Sequence, residues 1–308
     1  MYRLTSFLLF IVLVQGCTVS PTSQEQLFGK DRRVALVIGN ADYQEPEGYS
    51  TETHLLFGAI PSVKNDVERM TEELLDLNFS VISIKNANKQ KMGDALAQFK
   101  NELIKKSPEK TVGLFYFSGH GLGDKENKET YLIPTDHEPL LKEELNEGIL
   151  RDRFITQTDV YTEIKKADNK LNFVILDNCR DMGQTADNAK GIVATLKGPD
   201  GKIDLTSGAN PVNESRPPRT ILAYAAETNK PSLGMKDSKA TSVYTKQLLK
   251  YISIASLSLS ELFKRVSEAV VDETNEEQRP YFDLGEVSGK ELDFVFKKEQ
   301  VKIISAPP

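Results

Sequence analysis

The sequence has few of the side chains that most often carry out covalent chemistry. It contains two cysteines and three histidines in 308 residues. No group of cysteines and histidines has zinc-ligand spacing, and neither a glycine-rich phosphate-binding loop nor a Gly-x-Ser-x-Gly turn occurs. The sequence therefore does not indicate a structural zinc site, a P-loop nucleotide site or a serine hydrolase of that type.

Clusters of basic residues and internal repeats are also missing. The chain carries 39 lysines and arginines against 45 aspartates and glutamates, which gives a net charge of −6. Proteins that bind nucleic acids usually carry a basic patch or stripe, so we expect no nucleic-acid partner. The length and the 39% hydrophobic content suit one globular domain or one and a half.

The hydrophobic run near the N-terminus is too short to cross a bilayer as a helix. Residues 7–14 follow a single basic residue, Arg3, and a membrane span needs about 20 residues, so residues 1–16 are typical of a signal peptide. The run ends in Gln15-Gly16-Cys17, which resembles the lipobox of bacterial lipoproteins. An ordinary secretion signal and an uncleaved anchor are the alternatives.

The lipobox resemblance implies that Cys17 is lipidated and that residues 17–32 form a polar tether. Several acyl chains together anchor a protein stably in a membrane. Thr18, rather than an aspartate, favours the outer membrane facing the periplasm of a bacterial cell envelope. Cys179 then has no intramolecular disulfide partner, and an unpaired thiol in an envelope protein is a candidate reactive group.

One buried stretch of the sequence ends in this cysteine. Residues 173–176 form a continuous apolar run, which is typical of a strand buried on both faces, and Asp177-Asn178-Cys179 follow it. Ligands of open α/β sheets bind beyond the carboxyl ends of the strands. A structural cysteine beside a turn would give the same pattern, because free cysteines are among the most buried residues.

A second buried stretch ends in a histidine. Residues 112–117 form another apolar run, and Ser118-Gly119-His120-Gly121 follow it. The glycines allow backbone N–H groups to approach a ligand closely. About 60 residues separate His120 from Cys179, which is enough for a crossover helix between two parallel strands.

Ser-Gly-His-Gly followed by Asp-x-Cys resembles the caspase-like cysteine peptidases, and most closely their bacterial caspase-domain and metacaspase branch, peptidase family C14. Residues 131–136 and 278–280 resemble further segments of the bacterial members. The resemblance covers nearly the whole chain after the tether. It implies a three-layer α/β/α fold around a mostly parallel six-stranded sheet.

The resemblance also implies a catalytic pair. Cys179 would be the nucleophile, and His120 would protonate the leaving amine and then activate water. The backbone N–H groups of Gly121 and Cys179 would form the oxyanion hole. A nearby imidazole lowers the pKa of a thiol from its ordinary value of about 8.5. We expect no cofactor and no metal site; calcium activation, common in metacaspases, is not readable from the sequence.

Asp66, Ser118 and Asp177 match the metacaspase positions that line the substrate pocket. Two carboxylates in a partly desolvated pocket select a cationic side chain, so we expect cleavage of protein or peptide substrates after Arg or Lys. The local alternatives are that Asp66 interacts with a helix dipole and that Asp177 caps a turn. Arg180 departs from the metacaspase pattern and can partly neutralise the pocket.

The predicted peptidase domain spans residues 33–298 and leaves a tail, 299–308. A large part, 33–181, and a small part, 220–298, are joined by residues 182–219, whose glycines and prolines predict a flexible loop. In caspase-like enzymes this position is often cleaved. A mobile loop without cleavage is an equal alternative. Basic residues that offer self-cleavage sites are Lys190, Lys197, Lys202, Arg216 and Arg219.

Apolar residues at helical spacing predict five helices: from Ser62, from Met92, over 157–167, over 242–252 and from Leu259. Residues 41–61 and 138–153 are predicted to be irregular, and Asp293–Phe296 is predicted to be a short closing strand.

The leading prediction is a cysteine endopeptidase, and two other functions stay open. A caspase-like binding or scaffold module with little turnover is the first, although decayed relatives usually lose one member of the catalytic pair. A structural lipoprotein with a buried cysteine is the second. The physiological substrate, the activating signal and the oligomeric state are not encoded in a recognisable form.

Overall fold

The computed structural model describes most of the chain. The described residues are 28–44, 46–178, 196–197, 204–207, 215–227, 232 and 239–299. Both cysteines, the predicted signal peptide and Arg180 lie outside them. Among the helices of the described ranges, none has the length and the apolar content that a membrane span requires.

Thirteen strands and six helices occur in this part of the chain. The strands are β1 (Arg32–Gly39), β2 (His54–Leu55), β3 (Ser80–Lys85), β4 (Thr111–Gly119), β5 (Gly121–Asp124), β6 (Glu129–Leu132), β7 (Leu140–Leu141), β8 (Ile155–Thr156), β9 (Leu171–Asn178), β10 (Leu196–Lys197), β11 (Asp204–Ser207), β12 (Thr220–Tyr224) and β13 (Tyr281–Asp283). The helices are α1 (Val63–Asp76), α2 (Lys89–Ile104), α3 (Glu147–Arg153), α4 (Gln157–Ala167), α5 (Val243–Ile252) and α6 (Leu259–Glu273).

A six-stranded sheet in the order β13-β12-β9-β4-β1-β3 forms the centre of the fold. The five strands from β12 to β3 run parallel, and β13 pairs antiparallel with β12 at the edge. The predicted mostly parallel six-stranded sheet is confirmed. Its central strands are buried along their whole length, as their continuous apolar runs require.

Helices cover both faces of this sheet. Alternate side chains of β1 point to opposite faces, so that Ala35 and Val37 pack with α1, α5 and α6, whereas Leu36 and Ile38 pack with α2 and α4. Each of the five predicted helices is present. Their apolar faces supply most of the two cores.

The strand register brings the carboxyl ends of three strands to the same level. Ser118 of β4 lies beside Gly39 of β1 on one side and beside Asp177 of β9 on the other. Gly119 pairs with Asn178, the last residue of β9. The residue that follows each strand therefore leaves the sheet at one shared edge.

The predicted strand at Asp293–Phe296 is wrong. Phe294 and Phe296 alternate as strand residues do, but their rings pack against Phe173 with centroid distances of 5.5 and 5.0 Å. The carbonyl groups of Val295 and Phe296 accept hydrogen bonds from the buried Arg33 guanidinium instead of from a strand. The sixth strand is β13.

Two segments predicted to be irregular contain regular or buried structure. Residues 138–153 include β7 and α3, where the Asn146 side chain accepts a hydrogen bond from the backbone N–H of Ile149 and so caps the helix. Residues 41–61 include β2, and Leu55, Phe57 and Ile60 are buried. Polar turn residues separate the few apolar residues of both segments, so the sequence shows no periodic pattern there.

The loop predicted at 182–219 is not irregular throughout, because β10 and β11 lie within it. Strand β11 pairs antiparallel with β5, and Ser207 lies beside Leu122. Ser62 directly precedes α1, where a serine often caps a helix, but it makes no cap here. Its backbone is helical rather than extended, and its hydroxyl makes no capping hydrogen bond.

Candidate active site

His120 lies at the carboxyl edge of the sheet, between β4 and β5. It is the first residue after β4, and its side chain is 5% exposed. Cys179 is outside the described residues, but it is bonded to Asn178, which pairs with Gly119. His120 and the residue that precedes Cys179 therefore lie at the ends of adjacent strands.

A backbone carbonyl fixes the orientation of the imidazole. Nε2 of His120 lies 2.7 Å from the carbonyl oxygen of Gly58. A carbonyl oxygen only accepts hydrogen bonds, so Nε2 carries a proton. In the neutral ring, Nδ1 is then the nitrogen that can accept a proton from a thiol. Sequence reasoning missed Gly58, and no side-chain motif could mark it, because every residue supplies a carbonyl.

Two aromatic rings hold the His120 ring in place. Tyr43 contacts it edge-on at a centroid distance of 4.6 Å, and Phe57 lies at 5.2 Å. Both residues belong to the segment 41–61, which β2 ties to β7 and which an Ile60 N–H to Ala41 hydrogen bond of 2.8 Å closes. This segment therefore positions the catalytic candidate.

A second histidine lies behind the same rings. His137 packs edge-on against Phe57 with a centroid distance of 5.0 Å, and it lies 5.9 Å from Tyr43. Burial lowers the pKa of His137 below its ordinary value, although contacts with the Glu138 and Phe57 backbone act in the opposite direction. At neutral pH the shift therefore favours the neutral imidazole.

Asp66, Ser118 and Asp177, the three predicted pocket residues, come together beside His120. The Ser118 hydroxyl donates to Oδ2 of Asp66 over 2.8 Å, and the two carboxylates are fully buried. Ser242 links the two acids, because its backbone N–H donates to Asp66 over 2.7 Å and its hydroxyl donates to Asp177.

Further hydroxyl groups hold Asp177. Thr245 donates to its Oδ2 over 2.7 Å, and Ser232 donates to its Oδ1 over 3.1 Å. The Tyr116 hydroxyl lies 2.5 Å from the Thr245 oxygen and donates to it, because the single Thr245 proton goes to the carboxylate. Burial, and then the charges of Asp66 and Asp177, raise the pKa of Tyr116 well above its ordinary value.

The sequence did not reveal Ser242, Thr245 or Tyr116 as parts of this network. Ser242 caps α5 through a 3.0 Å hydrogen bond from the Thr245 N–H, and this capping pattern is the only role that its local sequence suggests. The N-terminal end of α5 lies at the carboxyl ends of the strands, and this placement brings Ser242 to the acids. Such a long-range approach leaves no local signal.

Gly121 occupies a position without room for a side chain. A Cβ atom there would lie 2.1 Å from Nδ2 of Asn178. Asn178 is fully buried and adjoins Cys179 in the chain. The close approach of β5 to the end of β9 therefore requires glycine at position 121. The same approach brings the Gly121 backbone to Asn178, the residue before Cys179.

These strands, helices and site residues define an α/β/α domain of the caspase type. The chain matches the family model of the caspase domain, peptidase C14, over residues 32–289. It belongs to this family, whose members are cysteine peptidases. No match was found among curated proteins.

A solved structure shows the same fold. Caspase-1 from Spodoptera frugiperda superposes with a TM-score of 0.52 at 13% sequence identity, over 88% of this chain and 92% of that one. At this identity the likeness concerns the fold alone.

Proposed function

We propose that the protein is a cysteine endopeptidase that uses Cys179 as nucleophile and His120 as general acid and base. The observation that carries the proposal is the register of β4 and β9, which ends both strands at one level directly before the two residues. The Gly58 contact adds support, because it directs the proton-accepting tautomer to Nδ1 of His120.

The reaction follows from these positions. The Cys179 thiolate attacks the scissile carbonyl carbon, and the Gly121 and Cys179 N–H groups stabilise the oxyanion. The His120 imidazolium gives its proton to the leaving amine, which leaves a thioester. His120 then takes a proton from water, which attacks the thioester, and the carboxylic acid product and the Cys179 thiol are released.

We further propose cleavage after Arg or Lys. Asp66 and Asp177 are both buried, and Asp177 pairs with Ser118, which lies two residues before His120. The hydroxyl and amide groups that hydrogen-bond to the two carboxylates are neutral donors. These contacts orient the two carboxylates. A guanidinium or ammonium group of the substrate would pair with them.

Peptides that differ in the residue before the cleaved bond test both proposals. The full-length protein and Cys179→Ala would be incubated with fluorogenic peptides ending in Arg, Lys or Asp, with and without calcium. We expect turnover of Arg and Lys peptides by the wild type only. Cleavage of Asp peptides alone would contradict the proposed specificity, and cleavage by Cys179→Ala would contradict the role of Cys179 as nucleophile. If neither protein cleaves any peptide, a binding module is favoured.

Self-cleavage within residues 182–219 is part of the proposal. Two of its basic residues are tied to the folded domain, because Arg216 pairs with Asp283 over 2.8 Å and Arg219 pairs with Asp168 over 2.5 Å. Lys197 lies in β10, which pairs with β11, so the cleavage site is expected at Lys190 or Lys202. A fragment that appears on a gel for the wild type but not for Cys179→Ala, followed by sequencing of its new N-terminus, would locate the site.

We also propose that Cys17 anchors the protein in the outer membrane. The support is the sequence alone, since residues 1–27 lie outside the described part. Mass spectrometry should find a diacylated Cys17 at the N-terminus, and Cys17→Ser should move the protein to the soluble fraction. An unmodified N-terminus at another position would contradict the anchor.

A further inference from the structure

Tyr43 binds the backbone of His120 as well as its ring. The Tyr43 hydroxyl accepts a hydrogen bond from the His120 N–H over 3.0 Å and donates one to the carbonyl oxygen of Ile133 over 3.0 Å. The Ile133 N–H in turn donates to the His120 carbonyl over 3.1 Å. Both peptide groups of His120 are thus tied to one short network.

The Tyr43 hydroxyl fills space that the glycine before His120 leaves. A Cβ atom at Gly119 would lie 2.7 Å from this oxygen. The Ile133 carbonyl also accepts a hydrogen bond from the Asn40 side chain over 2.9 Å. If the Tyr43 hydroxyl were removed, the Ile133 carbonyl would keep its hydrogen bond from Asn40. The loss would therefore act mainly on the backbone at Gly119 and His120.

We propose that Tyr43 is a positioning residue for His120, an inference that rests on the proposed function. Gly58 fixes Nε2, the Tyr43 and Phe57 rings hold the imidazole plane, and the Tyr43 hydroxyl fixes the backbone from which the side chain projects. A proton-transfer group acts efficiently only when its geometry is held closely. Loss of the hydroxyl lets the turn rotate and moves Nδ1 away from the thiol.

Tyr43→Phe removes the hydroxyl and keeps the ring. We expect kcat for an Arg or Lys peptide to fall about tenfold or more with KM nearly unchanged, since the pocket carboxylates are untouched. The alkylation rate of Cys179, followed on its own peptide by mass spectrometry, should show a higher pH midpoint, because the imidazolium stabilises the thiolate less well. Tyr131→Phe is the matched control, since the buried Tyr131 hydroxyl has no hydrogen-bond partner among the described residues.

A double-mutant cycle separates positioning from folding. In a His120→Ala background, Tyr43→Phe should no longer change the alkylation profile, because the residue acts through His120. An unchanged profile in the single variant, with or without a lower melting temperature, would overturn the inference. Two results together would separate the positioning role from the proposed function. If the wild type cleaves no peptide, the proposed function fails. If the pH midpoint of Cys179 alkylation is nevertheless higher in Tyr43→Phe than in the wild type, the positioning role stands.

Discussion

The carbonyl oxygen of Gly58 lies 2.7 Å from Nε2 of His120, so a backbone group orients the histidine where many cysteine and serine hydrolases use a side chain. The contact predicts that neutral His120 carries its proton on Nε2. Nitrogen-15 NMR of histidine-labelled protein checks this, because the chain has three histidines and His54→Gln and His137→Gln assign the signals. A predominant Nδ1–H tautomer of His120 would contradict the account.

Thr245 stabilises the buried acidic pair. Thr245→Val keeps the shape of the side chain but leaves Asp177 with one donor fewer and removes the Thr245 oxygen as an acceptor for the Tyr116 hydroxyl. The free energy of unfolding should fall by about 1–3 kcal/mol, the usual effect of an unsatisfied buried polar group. Urea unfolding measures the change, and Thr245→Ser, which keeps the hydroxyl, should recover most of it. Equal stability of the two variants would contradict the network.

Arg33 ties both ends of the domain together at the opposite edge of the sheet. Its guanidinium donates to the carbonyl groups of Phe28, Leu77, Val295 and Phe296, and burial lowers its pKa to about 10.

Arg33→Met should therefore lower the free energy of unfolding by about 3 kcal/mol, because two buried and two partly buried carbonyl groups lose a donor. Thermal or urea unfolding measures this loss of stability. The neighbouring Arg32→Met is the control, since Arg32 pairs with the partly exposed Glu102 and should lose less than about 1 kcal/mol. Similar losses in the two variants would refute the role of Arg33.

His137 makes stability depend on pH. Its pKa is lowered by burial in the folded state, so the unfolded state binds more protons below the ordinary value of 6.5. The free energy of unfolding should then decline as the pH falls from about 6.5 towards the lowered pKa, by up to about 1.4 kcal/mol per pH unit. Chemical unfolding across this window should show a smaller decline for His137→Gln than for the wild type. His54→Gln is the comparison variant, because the His54 ring packs against Tyr49 and not against Phe57, and an identical slope in His137→Gln and the wild type would contradict the prediction.

The elements that continuous apolar runs and helical spacing define were predictable. The runs before His120 and Cys179 became β4 and β9, and the spacing of Val63, Val67 and Met70 became α1. Hydrophobic periodicity indicates which face of a segment is buried, and the same face is buried in the folded protein. The placement of the two catalytic candidates after adjacent strands followed from it.

What could not be predicted depends on partners that are distant in the sequence. Phe294 and Phe296 have the alternation of a strand, but the Arg33 side chain binds the backbone carbonyl groups of Val295 and Phe296. Gly58 acts through its backbone, and Thr245 reaches Asp177 only because α5 packs over the strand ends. Local patterns carry no record of such contacts.

Covalent labelling tests the central claim most directly, because it reports the nucleophile and the pocket together. The full-length protein would be treated with a peptidyl acyloxymethyl ketone ending in Arg, and with the matching Asp reagent, and then digested for mass spectrometry. The account predicts one adduct, on Cys179, with the Arg reagent, and much slower labelling in His120→Ala. No adduct on Cys179, or an adduct with the Asp reagent alone, would contradict it.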